Sequence, residues 1–241
     1  MRVLPTVALV LALSGAACGG SDDSPSSPTA SNRNPTLAGV TVTPAFGVAF
    51  LTTFTFTANA SDPDGDALAY AWTFVDGFRG QISTGASATV QGTFQVAFPA
   101  VGVKARLTVT DGKGGSATSE SAGFVIGSMS AGWTVTSPRF PGVAMYYLQL
   151  TQDGGGRVTG EIRDGSAATK LGTTDPAAPG QMDAQGRLAL LRLKFTSGVD
   201  VTINGQMQPD GIRVVGTFVN THRAAYNGVP LEGLPVTLEI R

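Results

Sequence analysis

The acidic segment Asp62–Asp66 holds the residues of this chain that are best suited to metal chemistry. Within it, carboxylates alternate with a proline and a glycine, at Asp62, Asp64 and Asp66. Carboxylate oxygens are ligands that Ca²⁺ prefers, and the ion takes about six to eight oxygens. An EF-hand loop is excluded, since Ala67 and Thr73 stand where that loop needs glycine and glutamate. A looser calcium site shared with Asp111 is one hypothesis; we favour a tight polar turn, because one turn rarely supplies enough oxygens.

Residues for catalysis do not form a recognisable set in this sequence. The chain has one histidine, His222, and one cysteine, Cys18. A zinc site needs three or four histidine, cysteine or acidic ligands. No Gly-x-Ser-x-Gly element, phosphate loop or dinucleotide fingerprint is present. We interpret His222 as a loop residue without a role, and predict no catalytic residues and no cofactor beyond the calcium hypothesis.

Cys18 directly follows the apolar run Val3–Ala17, which Arg2 precedes. The run is too short for a spanning helix, which needs about 20 apolar residues, and its charged start fits a cleaved signal. The segment resembles the signal peptide and lipobox of bacterial lipoproteins, although Gly15 stands where that family usually has leucine. The resemblance implies removal of residues 1–17, acylation of Cys18, and a lipid anchor in the cell envelope. The alternative is an ordinary secretory signal that leaves a free thiol.

The residue after the cysteine, Gly19, bears on which membrane carries the anchor. In the lipoproteins that the segment resembles, glycine rather than aspartate at this position implies the outer membrane. Residues 18–34 then form a predicted flexible tether, because they contain no apolar side chain large enough to pack against a core.

The charge balance excludes one class of partner. Without residues 1–17 the chain has 15 basic and 17 acidic residues. A nucleic-acid-binding protein would need a basic patch. We therefore predict no nucleic-acid partner.

The elements that must position these residues are predicted to be β-strands. Short runs rich in threonine, valine and phenylalanine lie between clusters of glycine, aspartate and proline. Residues 35–127 show this pattern with polar and apolar alternation in Thr53–Ala58, Ala67–Phe74 and Val103–Thr110. We predict an immunoglobulin-like β-sandwich here, with Trp72 buried in its core.

The segment 35–127 resembles a PKD domain, an immunoglobulin-like module of bacterial surface proteins. The resemblance lies in Asp62–Asp66, which leads into Tyr70–Trp72, and in Leu107–Gly112. The family's Trp-Asp-Phe-Gly-Asp-Gly signature corresponds to Trp72–Gly77, where Thr73 and Val75 depart from it. The turn after that strand is therefore expected to differ from the family's.

Residues 130–241 are predicted to form an antiparallel meander that closes into a small β-barrel. About eight strands can be counted, joined by short turns, and such a meander closes readily. One apolar run, Arg187–Phe195, reads equally as helix or strand. This half resembles the calycin and lipocalin-like small barrels, through pieces such as Val158–Gly160 and Val215–Thr217. Three small residues lie on its apolar faces: Gly160, Gly205 and Gly216. They either leave room for a ligand inside the barrel or mark bends in the strands, and we favour the bends.

Three functions follow from this architecture. The first is a non-enzymatic binding or adhesion module, anchored in the envelope, whose partner is a glycan or an envelope protein. Its binding surface should expose aromatic side chains, and the candidates are Phe78, Phe140, Tyr146, Tyr147 and Tyr226. The second is a carrier that holds a small apolar ligand inside the barrel, and the third is a hydrolase.

Overall fold

A computed structural model describes residues 31–75, 87–222 and 224–241, in which nearly all regular structure is β-strand. The predicted signal peptide, Cys18 and Phe78 lie outside the described residues. No helix in the described part of the chain is long and apolar enough to cross a membrane.

The N-terminal half forms a β-sandwich of nine short strands. They are β1 (Thr36–Thr43), β2 (Phe46–Val48), β3 (Phe54–Ser61), β4 (Ala69–Phe74), β5 (Thr89–Gly92), β6 (Ala100–Val103), β7 (Ala105–Thr110), β8 (Ser116–Glu120) and β9 (Phe124–Gly127). Three three-stranded sheets result, with the orders β1-β3-β5, β4-β7-β8 and β2-β9-β6. Within these sheets all pairings are antiparallel except the parallel pair of β2 and β9, and an isolated parallel bridge joins Val40 to Ser121.

Aromatic side chains fill the sandwich core, because alternate residues of β3 and β4 point inward. The rings of Phe54, Phe56, Phe94 and Phe124 are all fully buried, and each of Phe54 and Phe56 lies 5.2 to 6.2 Å from both Phe94 and Phe124. Trp72 is 2 % exposed and packs against Phe56. The prediction that Trp72 belongs to the core is confirmed.

The C-terminal half is a closed, antiparallel barrel of eight strands with three accessory ones. The strands are β10 (Ala131–Thr136), β11 (Tyr146–Gln152), β12 (Arg157–Asp164), β13 (Lys170–Thr174), β14 (Gly180–Met182), β15 (Arg187–Phe195), β16 (Asp200–Met207), β17 (Arg213–Val219), β18 (Ala225–Tyr226), β19 (Val229–Pro230) and β20 (Pro235–Ile240). The order around the barrel is β11-β10-β20-β17-β16-β15-β13-β12, and β12 pairs with β11 to close it. The run 187–195 is therefore a strand.

Apolar side chains from every wall of the barrel meet in one continuous core. Those that are no more than 1 % exposed include Trp133, Leu148, Leu150, Ile162, Leu191, Leu193, Ile203, Phe218, Val236 and Leu238. The indole nitrogen of Trp133 donates to the carbonyl oxygen of Met129 at 2.9 Å. An eight-stranded barrel is just wide enough for side chains to fill it, and this one is packed in that way.

Glycines allow neighbouring strands of the barrel to approach closely. A Cβ atom on Gly216 would stand 2.0 Å from the carbonyl oxygen of Asn204, and one on Gly160 would stand 2.0 Å from that of Gln149. Gly205 lies directly opposite Gly216 in the ladder. These glycines therefore mark close approaches between neighbouring strands, and the bends that we favoured stay a prediction.

The segment Phe46–Thr52 joins the sandwich to the barrel. Val48 belongs to the barrel core, whereas its neighbour Ala49 belongs to the sandwich core. The buried Gln152 donates to the carbonyl oxygen of Ala49 at 3.0 Å, and Thr52 donates to that of Ala184 at 2.9 Å. Residues Asn32–Arg241 consequently form one compact unit.

Two residues of the predicted tether contact the sandwich. The amide of Asn32 donates to Asp111 at 2.8 Å, and Arg33 forms an ion pair with Asp64 at 2.8 Å. Carboxylates of two sandwich loops thus supply partners that the local sequence does not reveal, and the bounds of the tether stay a prediction.

Candidate functional site

The three aspartates of the acidic segment come together, with ligand atoms of each within 4.8 Å of the others. Asp62 accepts hydrogen bonds from the backbone N–H groups of Asp64, at 2.8 Å, and Asp66, at 3.1 Å. One further oxygen of Asp62 and one of Asp66 are buried and have no hydrogen-bond partner among the described residues. Asp111, the fourth predicted ligand, is outside this group.

Basic side chains already balance two of these carboxylates. Hydrogen bonds from the backbone and side chain of Arg33 lower the pKa of Asp64. Lys113 lies 2.6 Å from Asp66, and this contact raises the pKa of the lysine. Hydrogen bonds from Asn32 and from backbone N–H groups lower the pKa of Asp111. The loop can therefore hold its charges without a metal, and the calcium site stays a hypothesis.

Three of the predicted binding aromatics form a structural cluster with Phe195. The ring of Tyr146 lies 5.0 Å from that of Phe195 and 5.9 Å from that of Tyr226, which in turn lies 5.1 Å from Phe140. Tyr146 is only 9 % exposed, and burial raises the pKa of its hydroxyl to about 12. The cluster covers the barrel end where β11 begins. The expectation that Tyr146 is exposed for binding is therefore corrected: its ring packs on the core instead.

Tyr147 points to the opposite face of β11 from Tyr146. Its ring covers Gly132, where a Cβ atom would stand 1.9 Å from the tyrosine hydroxyl oxygen. The guanidinium of Arg241 lies 5.5 Å from the ring centre, and the hydroxyl donates to Gln149 at 3.1 Å. Of the predicted aromatics, Tyr147 is thus the one on the outer wall of the barrel.

A cleft of about 430 Å³ opens where the sandwich meets the barrel. No charged residue lines it; the lining comprises Phe50, Val96, Ala97, Phe98, Ser130, Gln149, Leu150, Thr151 and Gln152. Phe98, which lines the cleft, is 67 % exposed, and Val101, three residues further along the chain in β6, is 60 % exposed. These are the two most exposed large apolar side chains of the described residues. We call Phe50, Phe98, Val101 and Gln149 the junction surface.

Phe50 enters this cleft from a backbone conformation that is costly for a bulky residue, with φ of +66°. Its N–H donates to the carbonyl oxygen of Phe94 at 2.8 Å, and the N–H groups of Leu51 and Thr52 both bond to Val48. The turn that joins the two cores therefore fixes Phe50 in place. Strain of this kind often accompanies functional sites.

Sequence reasoning missed Phe98, the most exposed large apolar side chain of the described residues. Phe94 and Phe98 lie four residues apart in a stretch without strand or helix periodicity, yet Phe94 is buried and Phe98 is not. The local sequence indicates only the backbone conformation of Phe98, because a residue before proline is held extended.

His222 does not form part of a nucleophilic triad. Its Nδ1 atom donates to the backbone carbonyl oxygen of Asn220 at 2.9 Å, whereas a triad needs a carboxylate at that position. The nearby carboxylate of Glu232 instead accepts hydrogen bonds from Asn220 and Thr221, which lower its pKa. The described residues thus lend no support to the hydrolase hypothesis.

Comparison with known proteins identifies the sandwich. Residues 26–122 match the model of a family described as the bacterial Ig domain. The chain therefore contains an Ig-like domain, a type that suggests a non-enzymatic interaction or adhesion module and is often found in extracellular or envelope proteins. No curated protein and no solved structure matches the chain.

Proposed function

We propose that this chain is a lipid-anchored protein of the bacterial outer membrane whose folded part binds another envelope protein through the junction surface. The observation that carries this proposal is the exposure of Phe98 in an uncharged cleft, with Val101 exposed three residues further along the chain. Isolated exposed apolar residues are ordinary, but large apolar side chains around a cleft are typical of interaction sites.

The energetics of the junction surface favour a protein partner. Burial of one large apolar side chain contributes about 1.5–3 kcal/mol, so Phe98 and Val101 could supply the core of an interface. The lining carries no charge that a partner would have to neutralise. Gln149 offers an amide nitrogen that has no acceptor among the described residues. An apolar centre with a polar rim is the usual anatomy of such contacts.

The anchor is inferred from the sequence at Cys18. Two or more acyl chains hold a protein stably at a membrane, whereas one is marginal. An Ig-like domain in an envelope protein is consistent with this location. The predicted tether would let the module reach a partner without fixing its orientation.

The alternatives are less well supported. A carrier needs an internal cavity, yet large buried side chains such as Trp133 and Phe218 fill the barrel. A hydrolase needs a catalytic set, and His222 bonds to a backbone carbonyl group rather than to a carboxylate. We therefore assign no enzymatic activity in this proposal.

Photo-crosslinking in the native host tests the proposal. We expect a photoreactive phenylalanine in place of Phe98 to form an adduct with an envelope protein in the membrane fraction. The matched control places the same group at Val215, which is 45 % exposed on the outer wall of the barrel, and should give no adduct. The Cys18→Ser variant should leave the membrane fraction and lose the adduct. Equal adducts at both positions would contradict the binding surface, and membrane retention of Cys18→Ser would contradict the anchor.

A further inference from the structure

A second cleft, of about 470 Å³, lies on the outer wall of the barrel at the end remote from the sandwich. Gln152, at the end of β11, contacts the sandwich, whereas the strand begins at the opposite end of the barrel. The cleft is bordered by β15 and β16, and these two strands extend to that opposite end of the barrel. Six residues line it: Ala178, Leu190, Arg192, Thr202, Asn220 and His222. We call it the β15–β16 cleft.

Backbone strain concentrates in this cleft. Six non-glycine residues of the described chain have left-handed backbones, and three of them line the β15–β16 cleft: Leu190 (φ +54°), Asn220 (φ +50°) and His222 (φ +45°). Asparagine tolerates this conformation, but a leucine there is unusual. Residues held in such conformations cluster at binding and active sites.

A β-bulge holds Leu190 out of the barrel wall. The pairing of β15 with β16 shifts register between Leu188 and Leu191, and the N–H of Leu190 donates to the side-chain oxygen of Asn204 at 2.7 Å. As a result the leucine side chain is 57 % exposed. Bulges often direct a side chain toward a functional site. This bulge holds Leu190 in place despite its left-handed backbone and the exposure of its apolar side chain.

Polar groups without partners face the same space. Thr202 is 5 % exposed, and its hydroxyl has no hydrogen-bond partner in the described part of the chain. The side-chain amide of Asn220 likewise has none among the described residues. His222 uses Nδ1 for the carbonyl oxygen of Asn220, which leaves Nε2 for a ligand. Among the described residues the fully buried side-chain atoms without a partner lie elsewhere, at Asp62 and Asp66, so the Thr202 hydroxyl is reached from the cleft and is free to bond a ligand there.

Among the described residues, Arg192 is the charged side chain that lines the cleft, and it is already paired. The guanidinium of Arg192 lies 2.6 Å from Asp200 and 3.3 Å from Asp175, and Lys194 lies 3.6 Å from Asp175. Two cations therefore meet two carboxylates. A ligand with a net charge would gain little from this arrangement and would disturb the paired groups.

We propose that the β15–β16 cleft binds an uncharged saccharide. The hydroxyl of Thr202, the side-chain amide of Asn220 and Nε2 of His222 can donate or accept hydrogen bonds, as the hydroxyl groups of a sugar do. Leu190 offers an aliphatic wall for the apolar face of the sugar ring. The volume lies within the range of about 300–1,000 Å³ that is usual for small-molecule sites. This site is separate from the junction surface, so the proposal stands independently of the protein partner.

Titration of the full chain, purified in a detergent without a sugar head group, tests the assignment. The probes are the neutral saccharides maltose, cellobiose and N-acetylglucosamine, with glucuronate, glucose 6-phosphate and trialanine as comparators. We expect at least one neutral saccharide to bind with a Kd of roughly millimolar size, as few polar contacts allow. Thr202→Val should weaken that binding about fivefold to tenfold, because one hydrogen bond is lost. The control Thr217→Val, on the exposed outer face of β17, should leave the Kd unchanged.

The strained leucine supplies a second measurement. Glycine adopts a left-handed backbone without steric cost, so Leu190→Gly should leave the thermal midpoint unchanged or raised. The same change removes the aliphatic wall and should weaken saccharide binding. Absence of binding by all three neutral saccharides, stronger binding of a charged probe or of trialanine, or an unaltered Kd in Thr202→Val would each overturn the proposal.

Discussion

At the scale of single residues, aspartate in this chain acts mainly as a turn former. Asp153 and Asp183 each accept hydrogen bonds from the backbone N–H groups two and four residues further on. Asp62 and Asp111 use the same pattern. The acidic segment is thus one case of a repeated local device. This repetition favours the turn interpretation of Asp62 over the calcium hypothesis.

Asp164 offers a test of such a turn. Hydrogen bonds, chiefly from the hydroxyl of Ser166, lower the pKa of Asp164 to about 2. A carboxyl group whose pKa is lower in the folded than in the unfolded chain stabilises the fold above its unfolded pKa, about 4, and this stabilisation is lost as pH falls toward 2. The Asp164→Asn variant should therefore lose less stability between pH 4 and pH 2 than the parent chain.

Urea unfolding at several pH values measures this difference, and NMR titration of the Asp164 carboxyl group checks the pKa directly. Asp153→Asn is the matched control, since Asp153 forms an exposed turn in which its carboxylate accepts from backbone N–H groups and, among the described residues, from no side-chain hydroxyl. Parallel pH profiles for the parent chain and Asp164→Asn would contradict the prediction.

At the scale of elements, strand alternation was readable wherever the pairing is regular. In β20, for example, Val236 and Leu238 are buried and their neighbours are not. The run 187–195 was ambiguous for a physical reason. Its bulge inserts an extra residue between Leu188 and Leu191, so the apolar pattern loses its period of two. Bulges depend on the partner strand, which the local sequence does not contain.

Because β16 and β17 approach closely at Gly216, a substitution at this position should affect the stability of the fold. Gly216→Ala should destabilise the fold by about 1–3 kcal/mol, because a Cβ atom would overlap the backbone of Asn204. Gly154→Ala is the matched control: a Cβ atom there would have only Phe50 nearby, at 3.9 Å. Denaturant unfolding measures both. Equal stability of the two variants would show that the strands can separate to admit the methyl group.

At the scale of the whole molecule, the sandwich and the barrel are joined by more than their linker. The sequence places the junction near residues 127–130, but the segment Phe46–Thr52 also crosses between the cores. Gln152 bonds both to Ala49 in the sandwich and to the backbone N–H of Met129. Buried hydrogen bonds of this kind are expensive to break, so we expect the two cores to unfold together.

Each core contains one of the chain's two tryptophans, Trp72 in the sandwich and Trp133 in the barrel. In Trp133→Phe, fluorescence reports on the sandwich alone, and in Trp72→Phe it reports on the barrel alone. We expect the fluorescence midpoint in urea to coincide with the circular dichroism midpoint in both variants, as a single cooperative unit requires. Two separated transitions would mean that the cores are independent.

The sequence by itself determined the all-β class, the inward faces of most strands and the core role of Trp72. These properties depend on the period of two along a strand and on turn residues, both of which are local. Only the tertiary structure decided that Phe98 borders a cleft with Gln149, and that Leu190 and His222 share another with Thr202. Outward-facing residues become neighbours through strand register, a bulge and barrel closure, and these depend on pairings between distant segments.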